Sequence, residues 1–212
     1  MSTPKYKLFY FNWMWIAEPA RYLLSYVQEE FEDVRYNYED WMKDDGKINK
    51  KAFPYGKLPC LEDVENGLKL GQSFTIARYL GRKYNLVGTC DAEAAKCDEY
   101  ADVVKDMLAE VEPMWRANEE TKESIKTNFL AKTLPRYFSV IEQDLKKNGG
   151  KFLVGETISW VDFLFAHFTE MLGIYLKTDI LANYPGIRAH QKGIFEIDEI
   201  RNWRSARPVT TY

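Results

Sequence analysis

Cysteine and histidine are scarce in this chain of 212 residues. The three cysteines, Cys60, Cys90 and Cys97, are odd in number and have no CxxC spacing. That argues against a disulfide framework, a zinc site and a dithiol redox centre. His167 and His190 are the only histidines. They fit neither an H-x-x-x-H nor a Ser-His-Asp pattern, and they read as structural or surface residues. An excess of one charge is also missing: the net charge is -3 and there is no polybasic run. Neither nucleic acid nor a membrane surface is therefore expected as a partner. No apolar stretch reaches transmembrane length, and the opening MSTPKYKLFY lacks the apolar core of a signal peptide. The expected location is cytoplasmic.

Apolar and aromatic residues are plentiful. Hydrophobic residues make up 46% of the chain, with 14 Tyr, 12 Phe and 6 Trp, enough for a real core and for an apolar ligand pocket. The length suits two small domains. Tyr6 to Phe11 reads as a strand buried on both faces, Ala17 to Glu30 as a helix with Pro19 near its start, and Val34 to Tyr38 as a second strand. Strand, helix and strand in so short a span form a parallel crossover unit. A polar loop with one short helix occupies Glu39 to Lys51. From Lys57 to Leu80 come a proline-started strand, a turn at Glu65-Asn66-Gly67, a short strand and a helix opened by Gln72-Ser73.

That last stretch has the makings of a ligand site. A helix start presents unpartnered N–H groups and suits a carboxylate. X-Pro bonds are where a cis peptide is inexpensive, and a cis bond at Pro59 would turn the Leu58 backbone outward to pair with an extended peptide. The expected ligand is thus small, acidic and peptide-like. The first domain spans residues 1–84 as βαβαββα, followed by a linker at 85–91 and an all-helical domain at 92–212. In the latter, Cys97, Ala101, Val104, Leu108, Val111 and Trp115 form a helical stripe with Asp98, Asp102 and Asp106 beside it. Thr121 to Asn148 reads as one long helix ended by Gly149-Gly150. Ser159 and Asp162 form a capping-box pattern ahead of the apolar Val161 to Tyr175, and two short helices close the chain.

The end of the first strand is where a ligand of an α/β sheet is usually met. Tyr10 offers the only hydroxyl of the turn there. A phenol that donates to a nearby thiolate lowers the thiol pKa, although a tyrosine in such a strand also serves as ordinary packing.

The phrases YKLFYFNWMWIAEPARYLLSY, FPYGKLPCLE (Phe53 to Glu62), GQSFTIARYLGRKYNL (Gly71 to Leu86), TISWVDFLF (Thr157 to Phe165) and the closing W-x-x-x-RP (Trp203 to Pro208) resemble the sigma class of cytosolic glutathione S-transferases. That class includes the prostaglandin D synthase of blood-cell type. The resemblance implies a thioredoxin-like N-terminal domain, an all-helical C-terminal domain and a homodimer. It makes Tyr10 the hydroxyl that stabilises the thiolate of glutathione, the co-substrate. Trp41, Lys50 and Lys57 fall among the glutathione-binding positions, with Trp41 and Lys50 at the glycyl carboxylate. Leu58, before Pro59, pairs its backbone with the cysteinyl unit, and Gln72 and Ser73 clamp the γ-glutamyl end. Asp106 reaches that end from the neighbouring subunit. The implied hydrophobic wall comprises Trp13, Met14, Trp15, Ile16, Leu108 and Trp115, and the implied reaction is conjugation of the glutathione thiol to apolar electrophiles, with prostaglandin isomerisation as a special case. The alternative is a non-catalytic homologue acting as a ligand carrier or crystallin-like protein.

The chain departs from the class pattern in three places. Ile16 stands where the turn usually carries arginine, and the loop after Trp41 is longer, with the extra segment near Lys43 to Lys47. Lys105 occupies one carboxylate position of the cluster that, with Asp102 and Asp106, binds magnesium in the blood-cell synthase, so no metal is expected.

Overall fold

The computed structural model describes residues 4–43 and 45–210. Asp44, within the expected loop insertion, lies outside them. The chain divides into two compact units, residues 1–84 with 197–212, and residues 85–196.

The first unit is built on a four-stranded sheet. β1 (Tyr6–Phe11) leads through a 3-10 turn (Trp15–Ala17) and α1 (Glu18–Tyr26) to β2 (Phe31–Tyr36), which pairs parallel to β1 with Tyr10 opposite Arg35. β3 (Cys60–Asp63) and β4 (Leu68–Gly71) complete the order β2-β1-β3-β4, both pairings being antiparallel. α2 (Tyr38–Lys43) follows β2, and α3 (Ser73–Lys83) follows β4. β2 begins three residues earlier than its hydrophobic pattern suggests, because Phe31 is the parallel partner of Tyr6. It ends before Tyr38 because Asn37 Oδ1 accepts the backbone N–H groups of Glu39 and Asp40 and so starts α2. α1 stops short of Glu30, since Gln28 takes φ +55°.

In the second unit, α4 (Asp91–Val111) buries Cys97, Tyr100, Ala101, Val104, Met107 and Val111. α5 (Glu119–Asn128) and α6 (Leu134–Lys147), expected as one helix, are joined by a wide π turn at Phe129–Thr133. Pro135 accounts for the interruption: it has no N–H for the carbonyl four residues back, and its ring crowds the preceding turn. α7 (Trp160–Leu176) is buried on nearly every side and opens with the Ser159/Asp162 capping box. Asp162 also accepts from Leu153 N at 2.8 Å and bonds His190 at 2.9 Å, so both histidines are buried, His190 as a partner of the helix cap. α8 (Pro185–Phe195) completes this unit.

Two domain boundaries differ from the sequence expectation. Residues 85–91 are not a detached linker, because Leu86 O accepts from Trp160 N at 2.8 Å and Thr89 donates twice to Glu93. α9 (Asp198–Ala206) belongs with the sheet unit and not with the helices before it. The reason is a buried polar lock: Glu18 Oε1 accepts from Trp203 Nε1 at 2.8 Å and from Arg207 Nη1 at 2.7 Å. No helix of the described residues is long and apolar enough to cross a membrane.

Candidate functional site

Tyr10 stands near the C-terminal end of β1, only 3% exposed. Burial pushes its phenol well above the ordinary value. The Arg21 charge and the backbone N–H of Ile16 offset part of that rise. A phenol so placed keeps its proton near neutral pH, and accepting from Ile16 leaves its O–H as a donor.

The turn beyond Tyr10 is held at several points. Asn12 N donates to Tyr36 O at 3.0 Å, Arg35 Nη1 to Asn12 Oδ1 at 3.2 Å, and Arg21 Nη1 to Trp13 O at 2.8 Å. Trp15 takes φ +28°, a strained backbone for a bulky residue. The Trp13 ring lies against Tyr38, centroids 4.8 Å apart, and Phe11 touches both. Met14, Trp15 and Ile16 are half-buried.

Trp41, on α2, is buried among Phe11, Tyr36 and Phe53, and Lys50 Nζ lies 5.7 Å from its ring centroid. The chain then passes Tyr55 and Gly56, both at positive φ, to exposed Lys57 and to a cis bond between Leu58 and Pro59. Tyr55 is 81% exposed. Gly71, at the end of β4, is tightly packed: a Cβ there would sit 3.2 Å from Pro54 Cβ, which would have to give by a few tenths of an ångström. Next to it Gln72 takes φ +70°, ψ 111°. Neither Gln72 nor Ser73 caps α3 with its side chain, so the ordinary N-cap explanation for this pair does not apply. Three of the non-glycine residues at positive φ, Trp15, Tyr55 and Gln72, thus fall in the segments expected to meet the ligand.

The first unit therefore contains Tyr10, Trp41, Lys50, Lys57, Leu58, Pro59, Gln72 and Ser73 together with Trp13 to Ile16. The second unit carries the remainder. Asp102 and Asp106 are exposed on α4, and Leu108 is half-buried there. Trp115 is 40% exposed and stacks on Tyr175, centroids 5.5 Å apart. Leu108 and Trp115 are thus less covered than the other members of the expected stripe, Cys97, Ala101, Val104 and Val111, which are buried. Among the described residues no group of three or more His, Cys, Asp or Glu side chains is arranged to hold a metal ion.

Sequence reasoning missed the buried charges under the turn. Glu18 and Arg21 are fully buried, and Arg21 Nε donates to Asp33 Oδ1 at 3.1 Å. A signal was available: an acid and an arginine at i, i+3 on the apolar side of α1, with another acid in the following strand. Tyr38, partner of Trp13, reads in the sequence as the last residue of the second strand and carries no site signal there.

Comparison with known proteins agrees with this fold. Residues 4–82 match the N-terminal domain of glutathione S-transferases and residues 105–207 the C-terminal domain. Glutathione S-transferase S1 of Drosophila melanogaster is 32% identical over 97% of this chain and 80% of its own length. Human hematopoietic prostaglandin D synthase is 31% identical over 98% of each chain. The solved structure of prostaglandin synthase D of Nilaparvata lugens superposes with a TM-score of 0.86 at 34% identity, covering 97% of this chain and all of that one. The thioredoxin-like sheet followed by a helical domain is the architecture these proteins share, and the chain belongs to the glutathione S-transferase family, in its sigma class, as a glutathione transferase.

Proposed function

We propose that this enzyme adds the thiol of glutathione to small apolar electrophiles, with Tyr10 as the thiolate stabiliser. The observation that carries the reading is the Tyr10 phenol buried near the end of β1, which burial keeps protonated near neutral pH and so able to donate. A thiolate that accepts this bond is favoured over the thiol, which at its ordinary pKa is only a few per cent ionised near neutral pH. Catalysis then consists of holding the sulfur anion and the electrophile together while the new C–S bond forms.

In this reading the backbone of Leu58, before Pro59, pairs with the cysteinyl unit. Gln72 and Ser73 hold the γ-glutamyl end, and their freedom from capping α3 supports that role. Lys50, Lys57 and Trp41 meet the glycyl carboxylate. Trp13, Met14, Trp15 and Ile16 supply apolar surface beside the sulfur, and Leu108 and Trp115 are proposed to add to it. The enzyme works as a cytoplasmic homodimer without a metal, and three free cysteines suit a reducing compartment. Prostaglandin isomerisation is a special case of the same thiolate chemistry.

The missing cation at position 16 favours one rival, a carrier that binds glutathione without turnover. Tyr10→Phe separates the two. Conjugation of chlorodinitrobenzene should fall roughly 100-fold in kcat/KM while retention on immobilised glutathione persists. A protein that binds glutathione yet turns over no faster than Tyr10→Phe is the carrier.

A further inference from the structure

Position 16 is apolar, yet a guanidinium lies buried behind the same turn. Arg21 has no exposed side-chain surface. Its Nη1 donates to Trp13 O at 2.8 Å and to Glu18 Oε2 at 2.9 Å, and its Nε donates to Asp33 Oδ1 at 3.1 Å. Nη2 is buried and has no hydrogen-bond partner among the described residues. An unmet buried donor on a charged group is costly, and an apolar side chain would fill this space at lower cost. Packing alone is therefore a poor reason for an arginine here.

Both acids beside Arg21 are shared with other cations. Asp33 Oδ2, on β2, accepts from Arg35 Nε at 2.7 Å. Glu18 Oε1 accepts from Arg207 Nη1 at 2.7 Å and from Trp203 Nε1 at 2.8 Å. Tyr22, also on α1, accepts from Arg204 Nη1 at 2.8 Å and from Arg207 Nη1 at 3.0 Å. Among the described residues the ionic groups around Arg21 include Glu18 from α1, Asp33 and Arg35 from β2, and Arg207 with Arg204 from the C-terminal segment. Tyr10 of β1 feels the Arg21 charge, against the larger effect of burial. The acids alone would neutralise Arg21, but both are shared, Asp33 with Arg35 and Glu18 with Arg207.

We propose that Arg21 is a positioning residue for catalysis, fixing the turn through the Trp13 carbonyl and supplying the positive charge absent from position 16, while Arg207 keeps Glu18 from neutralising it. The proposal rests on Tyr10 as the thiolate stabiliser. Arg21 acts through the turn and through space on the anion that forms beside Tyr10, and it need not touch the sulfur itself. The C-terminal segment thereby tunes the reacting sulfur from the far side of α1.

Two substitutions of opposite sign test it, read by ultraviolet titration of the thiolate in the glutathione-bound full-length enzyme and by the pH profile of kcat/KM. Glu18→Gln keeps the shape and removes the opposing charge, so the apparent thiol pKa should fall by about half a unit or more. Arg207→Met should raise it by a similar amount, and Arg207→Lys should largely restore it. Shifts of the same sign, or none, overturn the proposal, because structural damage alone has no reason to favour the thiolate in one variant and oppose it in the other. If Glu18→Gln does not fold, the Arg207→Met and Arg207→Lys pair decides alone: a basic shift in Met that Lys reverses supports the proposal, and equal profiles reject it. Tyr10→Phe runs alongside. An unchanged titration there removes the Tyr10 reading itself, whereas a shift there with none in the Glu18 and Arg207 variants removes only the role of Arg21.

Discussion

At the scale of single residues, the firmest consequence outside the site concerns Asp63 at the end of β3. Its side chain is 1% exposed and accepts from Lys83 Nζ at 2.6 Å, from Tyr79, and from Asn66 N and Nδ2 at 3.2 and 3.0 Å. Burial by itself would raise this carboxyl, but the bonds from Lys83, Tyr79 and Asn66 outweigh it and hold the group well below the usual carboxylate range. A folded-state pKa below the unfolded value of about 3.9 gives stability that is present above that value and lost as pH falls through the folded pKa. Asp63→Asn should therefore cost roughly 2–3 kcal/mol near neutral pH, with the gap to wild type closing in acid below about pH 4. Urea unfolding across that range checks it. A gap that stays constant with pH would mean that the carboxylate charge contributes nothing and only its shape matters.

At the scale of elements, how much was legible in the sequence depended on whether the signal was local. β1, the β3–β4 turn, the Ser159/Asp162 cap and the all-round burial of α7 follow from short-range patterns, and the sequence shows them. The π turn at Phe129–Thr133 was equally local, since Pro135 stood in plain view inside an otherwise helical stretch. α9 was not legible. Its amphipathic pattern says that it packs, whereas its partner is set by side chains about 180 positions away, Trp203 and Arg207 reaching Glu18. The candidate site divides in the same way. Tyr10, the Leu58-Pro59 bond and Gln72-Ser73 sit in recognisable phrases, whereas Arg21 looks like any helix arginine until the sheet brings Asp33 beside it. Trp203→Ala tests where α9 belongs. Losing the indole bond to Glu18 and the ring contact with Phe31, centroids 5.5 Å apart, should cost about 2 kcal/mol for a half-buried tryptophan. Hydrogen exchange should speed up in α1 and β2 and leave α7 unchanged. Equal loosening of α7 would return α9 to the helical unit.

At the scale of the whole molecule, the proposed γ-glutamyl clamp is incomplete within its own unit. Gln72 and Ser73 are neutral, while the γ-glutamyl end of glutathione carries an ammonium group as well as a carboxylate. The helix start of α3 suits the carboxylate and opposes the ammonium, so an acid from elsewhere is needed to balance it. Asp106 is the proposed source, an exposed carboxylate on α4 supplied by a second copy of the chain. Being exposed, it should have little part in folding, so Asp106→Ala ought to leave the unfolding midpoint and the sedimentation of the proposed dimer unchanged while weakening glutathione binding roughly 10-fold. Calorimetric titration with glutathione, paired with sedimentation of both proteins, makes the measurement. Full affinity in the variant would assign the ammonium to another acid. A monomer that binds glutathione as tightly as expected would instead show that one copy completes the clamp by itself, because a contact borrowed from a partner must weaken with dilution and one made within the chain does not.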